Sequence, residues 1–269
     1  MIWDVSPIAF SLSLGGHHFD VRWYGLFFAS TFLYGILIFR QMFRWEGKPP
    51  DDAYDLTLFV IAGTVLGARL GHVLFYNPGY YFSHPFKILA VWEGGLASHG
   101  AVVGILISVW LYSRQAVGQS FLYVCDHIGL AVPFSGFLIR VGNFFNSEIL
   151  GTPTEVPWAV VFARVDPLPR HPVQLYEAVC YLLAFALQLR YYLKRGDAGP
   201  AGYLFGRFFL FIFGTRFFME FFKEEQAAFA VGFGLTLGQW LSIPAVAVGV
   251  WLVLRARRSE AGGYKDFPR

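Results

Sequence analysis

The stretch 56–76, LTLFVIAGTVLGARLGHVLFY, decides the fold class of this chain. Arg69 is the only residue in it that carries a formal charge when histidine is neutral. An α-helix needs about 20 consecutive, mostly apolar residues to cross the hydrocarbon core of a bilayer. The stretch therefore predicts a membrane-spanning helix.

The rest of the chain has the same character. Of its 269 residues, 56% are hydrophobic and only 14% are charged, whereas soluble domains have about 25% charged residues. We therefore expect an all-α, polytopic membrane protein that forms one membrane-embedded domain over 1–269. About seven transmembrane helices are predicted, at 22–39, 56–76, 95–112, 121–139, 173–193, 201–222 and 237–254.

Lysine and arginine are unequally divided between the two alternating sets of loops. One set is rich in them near 40–48, 114, 194–195 and 255–258, and the other holds fewer. Basic loops favour the cytoplasm, so we expect an external N-terminus and a cytoplasmic tail at 255–269. The proline-containing stretch 147–172 then forms a small external head, which includes a strand-like run at 158–162.

Several function classes find little support in the composition. A formal charge of +3, without a dense basic patch, gives no reason to expect a nucleic-acid partner. Cys125 and Cys180 lie in apolar runs and are interpreted as buried hydrophobic residues. We see no cluster with metal-ligand spacing, so neither a metal nor a cofactor is expected.

Glycines recur at four-residue spacing in two of the predicted helices. Gly63, Gly67 and Gly71 form two such steps, and Gly100 and Gly104 form another. Small residues at this spacing let helix backbones approach closely in lipid, so we interpret them as helix-packing contacts.

Polar residues at a membrane helix are costly and mark candidate functional sites. The densest group is Arg140, Asn143, Asn146 and Glu148. The planar arginine fork suits a phosphate, and the amides and the carboxylate suit hydroxyl groups. The alternative is a helix cap followed by a solvated loop.

Three other places carry polar residues, each with an ordinary structural alternative. His99 is a candidate general base or a packing histidine. Gln174 and Glu177 are candidate ligands or helix-start signals. Arg216 and Glu220 are spaced i, i+4 and could form a structural ion pair. Tyr24 and Arg69 add polar groups near the predicted membrane edge.

Taken in order, these motifs resemble those of the prolipoprotein diacylglyceryl transferase family. The most specific is RVGNFFNSE at 140–148. The others are RWYG at 22–25, GARLG at 67–71, Glu93-Gly94-Gly95 with His99-Gly100, and HPVQLYE at 171–177. The late segment Phe213-Gly214-Thr215-Arg216 departs from the family pattern, because it lacks a tyrosine hydroxyl.

The resemblance implies a seven-helix protein with an external head in the bacterial inner membrane. It implies transfer of the diacylglyceryl group of phosphatidylglycerol to the lipobox cysteine thiol of a prolipoprotein, forming a thioether and releasing glycerol phosphate as the first step of lipoprotein maturation. The expected partners are this lipid, the signal peptide with its lipobox cysteine, and membrane lipids. A polytopic transporter of lipid or small solutes without catalysis is the alternative, although we see no internal repeat.

The expected roles follow from this chemistry. His99 is the expected base for the thiol proton, since an imidazole titrates near neutral pH. Arg140 and Arg216 are expected to stabilise the charge that grows on the leaving phosphate. The remaining residues are expected to bind substrate: Tyr24, Arg69, Asn143, Asn146, Glu148, Gln174, Glu177 and Glu220.

Overall fold

A computed structural model of the chain describes residues 1–14, 17–91, 94–116, 119–224 and 234–261. Glu93, which belongs to the motifs quoted above, and the tail residues 262–269 lie outside them. The chain divides into two compact units. The first contains Met1–Gly35 and Asp126–Arg269, and the second contains Ile36–Cys125.

The chain is mostly α-helical, as predicted, and a long helix occurs at each of the seven apolar runs. Within the described residues, four helices are long and apolar enough to cross a membrane, at Trp23–Trp45, Asp52–Phe75, Phe121–Asn146 and Leu237–Ser259. A short helix α3 (Pro78–Ser83) and a 3₁₀ turn (Pro85–Leu89) follow the second long helix. The long helices are α1 (Trp23–Trp45), α2 (Asp52–Phe75), α4 (Ser98–Gln115), α5 (Phe121–Asn146), α6 (Val173–Arg195), α7 (Tyr203–Met219) and α8 (Leu237–Ala261).

Helices α5 and α8 continue beyond the apolar runs that predicted them. Helix α5 includes Pro133 and runs to Asn146 rather than ending at 139, while α8 runs to Ala261, into the predicted tail. The extension of α5 places Arg140 and Asn143 on the last two turns of a helix rather than in a loop. Their side chains therefore have the fixed spacing of one helical turn.

In the second unit, α2 and α4 approach each other through their glycines. A Cβ on Gly67 would collide with the carbonyl oxygen of Gly100, and a Cβ on Gly104 would collide with that of Gly63. Only glycine permits backbones this close. The sequence-based interpretation of these glycines as packing contacts is confirmed.

The first unit contains short strands, and the all-α prediction included none of them except the strand-like run in the head. Strands β2 (Ile8–Leu14) and β3 (His17–Arg22) form an antiparallel hairpin that leads directly into α1. Strand β1 (Ile2–Trp3) pairs in parallel with β4 (Val160–Phe162), and β4 pairs with β5 (Pro169–Arg170). A strand was predicted at 158–162, and β4 lies inside that run.

Candidate active site

The end of α5 provides the centre of the site in the first unit. The Arg140 side chain is 13% exposed. Its Nη1 donates a hydrogen bond to Oδ1 of Asn143, 3.1 Å away, which lies almost one turn further along the same helix. The guanidinium is thus held by a side chain of its own helix, near the helix end.

A left-handed residue ends α5 and turns the chain back over it. Ser147 has a φ of +56°. The Ser147 N–H donates to the Phe144 carbonyl at 3.1 Å, and the Glu148 N–H donates to the Asn143 carbonyl at 3.0 Å. This pair of bonds is the Schellman helix ending, here formed with serine in place of the usual glycine.

The turn brings Glu148 back to the amides of α5. Its carboxylate accepts hydrogen bonds from Asn143 Nδ2 at 3.4 Å and from Asn146 Nδ2 at 3.1 Å. Outside this turn, Arg164 donates to the Phe145 carbonyl and to the Ser147 hydroxyl, both at 3.0 Å. The four polar residues that the sequence grouped at 140–148 therefore form one hydrogen-bonded cluster.

Helix α6 contributes two fully buried polar side chains. Gln174 Nε2 donates a hydrogen bond to the Glu148 carbonyl at 2.6 Å, and this bond holds the turn to α6. Glu177 lies one turn further along, and its Oε2 is 2.8 Å from Nε of Arg140 in an ion pair. Both residues begin α6 as the helix-start interpretation predicted, yet both also contact the cluster.

The segment after α7 adds a second cation. Lys223 Nζ is 2.8 Å from Glu177 Oε1 and 3.4 Å from Glu220 Oε2. Glu220 therefore pairs with Lys223, and in the described part of the chain it forms no ion pair with Arg216, the alternative that the i, i+4 spacing had left open. Arg140, Glu177, Lys223 and Glu220 form a row of charges that alternate in sign.

Two tyrosines connect further residues to this cluster. The phenol of Tyr24 on α1 lies within electrostatic range of Glu148 and Arg140, and its ring packs on Gly142, where a Cβ would be 3.1 Å away. Tyr181 on α6 lies within electrostatic range of both Arg140 and Arg216. Arg216 thereby belongs to the same region as Arg140.

Arg170, which is 4% exposed, connects loop segments next to the cluster. Its guanidinium donates to the Gly151 carbonyl at 3.0 Å and pairs with Asp166 and Glu224. The hydrogen bond from Arg170 lowers the pKa of the Asp166 carboxyl below its ordinary value, and the same contact raises the pKa of Arg170. The site's loop is thus supported by an ion-paired arginine outside the predicted helices.

The remaining two predicted residues belong to the second unit. His99 is exposed at the start of α4, edge-on to Phe75 at 5.4 Å and stacked on Tyr76 at 5.9 Å between ring centroids. Arg69, 3% exposed, donates to the carbonyls of Ile88 at 2.9 Å, Gly95 at 3.2 Å, Lys87 and Gly94. These contacts account for the burial of Arg69 without a ligand.

The structure thus gathers nine of the eleven predicted site residues in the first unit. It also adds Lys223 and Tyr181, which the sequence-based prediction omitted. Tyr181 lies four residues after Glu177, on the same helix face, so helical spacing could have found it. The nine are Tyr24, Arg140, Asn143, Asn146, Glu148, Gln174, Glu177, Arg216 and Glu220.

The protein is thus of the class that combines apolar, membrane-type helices with a polar cluster whose chemistry suits an anionic, hydroxylated group. Arginines supply planar donors for phosphate, and the amides and carboxylates can bind hydroxyl groups.

Comparison with known proteins identifies the family. Residues 7–255 match the family model described as prolipoprotein diacylglyceryl transferase. A phosphatidylglycerol–prolipoprotein diacylglyceryl transferase of Chloroherpeton thalassium is 50% identical over 256 residues, covering 95% of this chain and 94% of the relative. Proteins of the same name from Tolumonas auensis and Porphyromonas gingivalis are each 43% identical, covering 97% and 94% of this chain and 99% and 94% of the relatives. The chain belongs to the prolipoprotein diacylglyceryl transferase family, which confirms the resemblance drawn from its motifs.

Proposed function

We propose that this protein transfers the diacylglyceryl group of phosphatidylglycerol to the lipobox cysteine thiol of a prolipoprotein. The observation that carries the proposal is the environment of Arg140. Its guanidinium forms an ion pair with Glu177 through Nε and a hydrogen bond to Asn143 through Nη1, and a guanidinium has five N–H donors. These two contacts leave other donors of the planar fork for a ligand, and such a fork suits a phosphate.

The reaction exchanges one bond for another. The thiol proton passes to a base, the sulfur attacks the glyceryl carbon that bears the phosphate ester, and a C–S bond forms as the C–O bond breaks. The electron pair of that bond goes to the phosphate oxygen, and glycerol phosphate leaves. Since the phosphate gains negative charge during this step, Arg140 and Arg216 would stabilise the transition state more than the substrate.

The other residues have distinct proposed roles. Asn143, Asn146, Glu148 and Tyr24 would bind the hydroxyls of the glycerol headgroup. Glu220 would contribute to the charge balance of the same region. His99 is the proposed base, since its imidazole is exposed and a neutral imidazole has one nitrogen that can accept a proton.

Gln174 is proposed to support the site rather than to touch substrate, and Arg69 is proposed to hold its own segment of the second unit. Arg69 donates to backbone carbonyls at 87–95, and Gln174 donates to the backbone of Glu148. Their effect on turnover would come through the loops that they hold.

The first prediction concerns Arg140→Lys. Lysine keeps the charge but lacks the planar fork, so we expect transfer to fall by about 100-fold or more, as for loss of one preorganised oxyanion donor. The assay combines purified protein, phosphatidylglycerol labelled in its acyl chains and a lipobox peptide, and it measures label bound to the peptide.

Arg190→Lys is the matched control, because Arg190 is exposed toward the far end of α6. Wild-type rates for Arg140→Lys would mean that Arg140 acts only as a cation. If the wild-type protein moved labelled lipid between vesicles without labelling the peptide, the proposal would fail in favour of transport.

A further inference from the structure

Glu177 is a buried carboxylate that contacts two cations. Its side chain is 0% exposed. Oε2 lies 2.8 Å from Arg140 Nε, and Oε1 lies 2.8 Å from Lys223 Nζ. Each oxygen therefore faces a different cation, so neither cation has a bidentate contact with this carboxylate.

This division of the carboxylate matters for Arg140. An arginine and a carboxylate left alone prefer a bidentate contact through two parallel N–H donors. Here Lys223 takes the second oxygen of Glu177, and Arg140 Nη1 donates to Asn143 instead. The Lys223 contact thus leaves guanidinium donors available that a bidentate Glu177 would occupy.

The backbone of Lys223 is fixed to the loop that carries Glu148. Lys223 forms an antiparallel bridge with Gly151. The Thr152 N–H donates to the Phe222 carbonyl at 2.9 Å, and the Glu224 N–H donates to the Leu150 carbonyl at 3.1 Å. The Lys223 side chain is 8% exposed. Both ends of the lysine are therefore held, one by the loop and the other by carboxylates.

We infer that Lys223 is a positioning residue: by holding Glu177, it keeps the Arg140 guanidinium in the orientation that binds the lipid phosphate. Glu177 is then the second positioning residue and does not bind substrate. The inference rests on the proposed function, because the orientation matters only if Arg140 contacts the phosphate. Without Lys223, Glu177 would draw both of its oxygens onto Arg140 and remove donors from the ligand.

The test compares Lys223→Met with the double variant Glu177→Gln/Lys223→Met. We expect Lys223→Met to lower kcat/KM for phosphatidylglycerol by about tenfold or more, a coupling typical of residues in one ion-pair network. In the double variant the neutral glutamine no longer forms an ion pair with Arg140. At least about half of the decrease in the logarithm of kcat/KM should therefore be recovered. Lys223→Arg should retain more activity than Lys223→Met, since the cation that faces Glu177 is kept.

Other roles for Lys223 give different outcomes. If Lys223 bound the phosphate directly, removal of Glu177 would restore nothing, and equal rates in the single and double variants would overturn the inference. Wild-type rates in Lys223→Met would overturn it as well. Lys194→Met, an exposed lysine near the end of α6, is the control and should leave the rate unchanged.

Two further points keep the test decisive. Thermal unfolding in detergent identifies variants that fail to fold. If Lys223→Met alone does not fold, the double variant is tested in its place, because it has no uncompensated carboxylate at this position. Transfer by the double variant supports the inference. A double variant that folds but is inactive contradicts it. Failure of the wild type to label the peptide would instead contradict the proposed function.

Discussion

Ser147 and Ile149 both have a φ of +56°, a conformation that costs residues with a Cβ about 1–2 kcal/mol. Glu148 lies between them, and its backbone and side chain both bond back to α5. Such conformations persist where the surrounding structure holds them, here through Arg164 and Gln174. The strain therefore lies on either side of Glu148, one of the residues proposed to bind the headgroup.

The identity of the polar residues could be predicted from sequence, but their contacts could not. Glu177 was compatible with a ligand or a helix-start signal, because the residues before it, including Pro172, satisfy helix-start rules. Its partner Lys223 is 46 residues away along the chain, and no local spacing rule reaches that far. Arg69 was expected to bind substrate because the sequence shows its charge. The sequence does not show the backbone carbonyls that accept its hydrogen bonds.

At the residue scale we predict a pH dependence for the segment around Asp166. Arg170 depresses the pKa of Asp166 in the folded protein. This contact therefore contributes its full stabilisation of the fold at pH values above the ordinary pKa of a carboxyl group. The contribution is lost as the pH falls through the lower folded pKa. Limited proteolysis between pH 6 and pH 3 should show the segment becoming more susceptible in acid.

Asp166→Asn supplies the comparison. It should raise susceptibility at neutral pH and reduce the difference in susceptibility between pH 6 and pH 3, because the titrating partner of Arg170 is gone. Equal acid sensitivity in the two proteins would contradict the assignment to this ion pair.

At the level of elements, apolar runs located the seven long helices because lipid-facing helices need continuous apolar sequence. The hairpin of β2 and β3 was missed for a physical reason: it is short, and its alternation of apolar Phe10 and Leu12 with polar Ser11 and Ser13 is a weak signal beside a long apolar run. Helix α5 was predicted too short because its last two turns carry the polar site residues.

The beginning of α7 gives a prediction at the same scale. Asp126 on α5, 1% exposed, accepts hydrogen bonds from the N–H groups of Gly202 at 2.7 Å and Phe205 at 2.8 Å. It therefore caps α7 from another helix. Asp126→Ala leaves buried donors without an acceptor, which costs about 1–3 kcal/mol, and the unfolding temperature in detergent should fall.

Asp197→Ala is the control for this cap. Asp197 lies in the loop before α7, is 61% exposed, and also accepts a backbone N–H, from Gly199. Its replacement should change the unfolding temperature much less. Equal melting of the Asp126→Ala and wild-type proteins would mean that the cap contributes little to the stability of α7.

For the whole molecule, the first unit combines chain segments that are far apart in sequence. Strand β1 at the beginning of the chain pairs with β4, which lies between α5 and α6. Composition and periodicity carry no information about such a pairing, because two short strands give the same local pattern whichever partner they have. The pairing nevertheless bears on topology, since paired strands must lie on one side of a membrane.

We propose that the seven long helices all span the membrane, with the N-terminal strands and the 147–172 head outside and the C-terminus in the cytoplasm. The β1–β4 pairing and the basic residues at 194–195 and 255–258 support this orientation. Single cysteines at Asp4, Glu155 and Asp197, in a Cys125→Ser/Cys180→Ala background, provide the test with a membrane-impermeant maleimide.

Asp4→Cys and Glu155→Cys should react in intact cells, because both positions are exposed and the proposal assigns them to the external side. Asp197→Cys, in the loop between α6 and α7, should react only after the membrane is permeabilised. Opposite behaviour of Asp4→Cys and Glu155→Cys would conflict with the strand pairing itself. Labelling of Asp197→Cys in intact cells, with Glu155→Cys protected, would instead reverse the orientation while leaving the pairing and the site geometry unchanged.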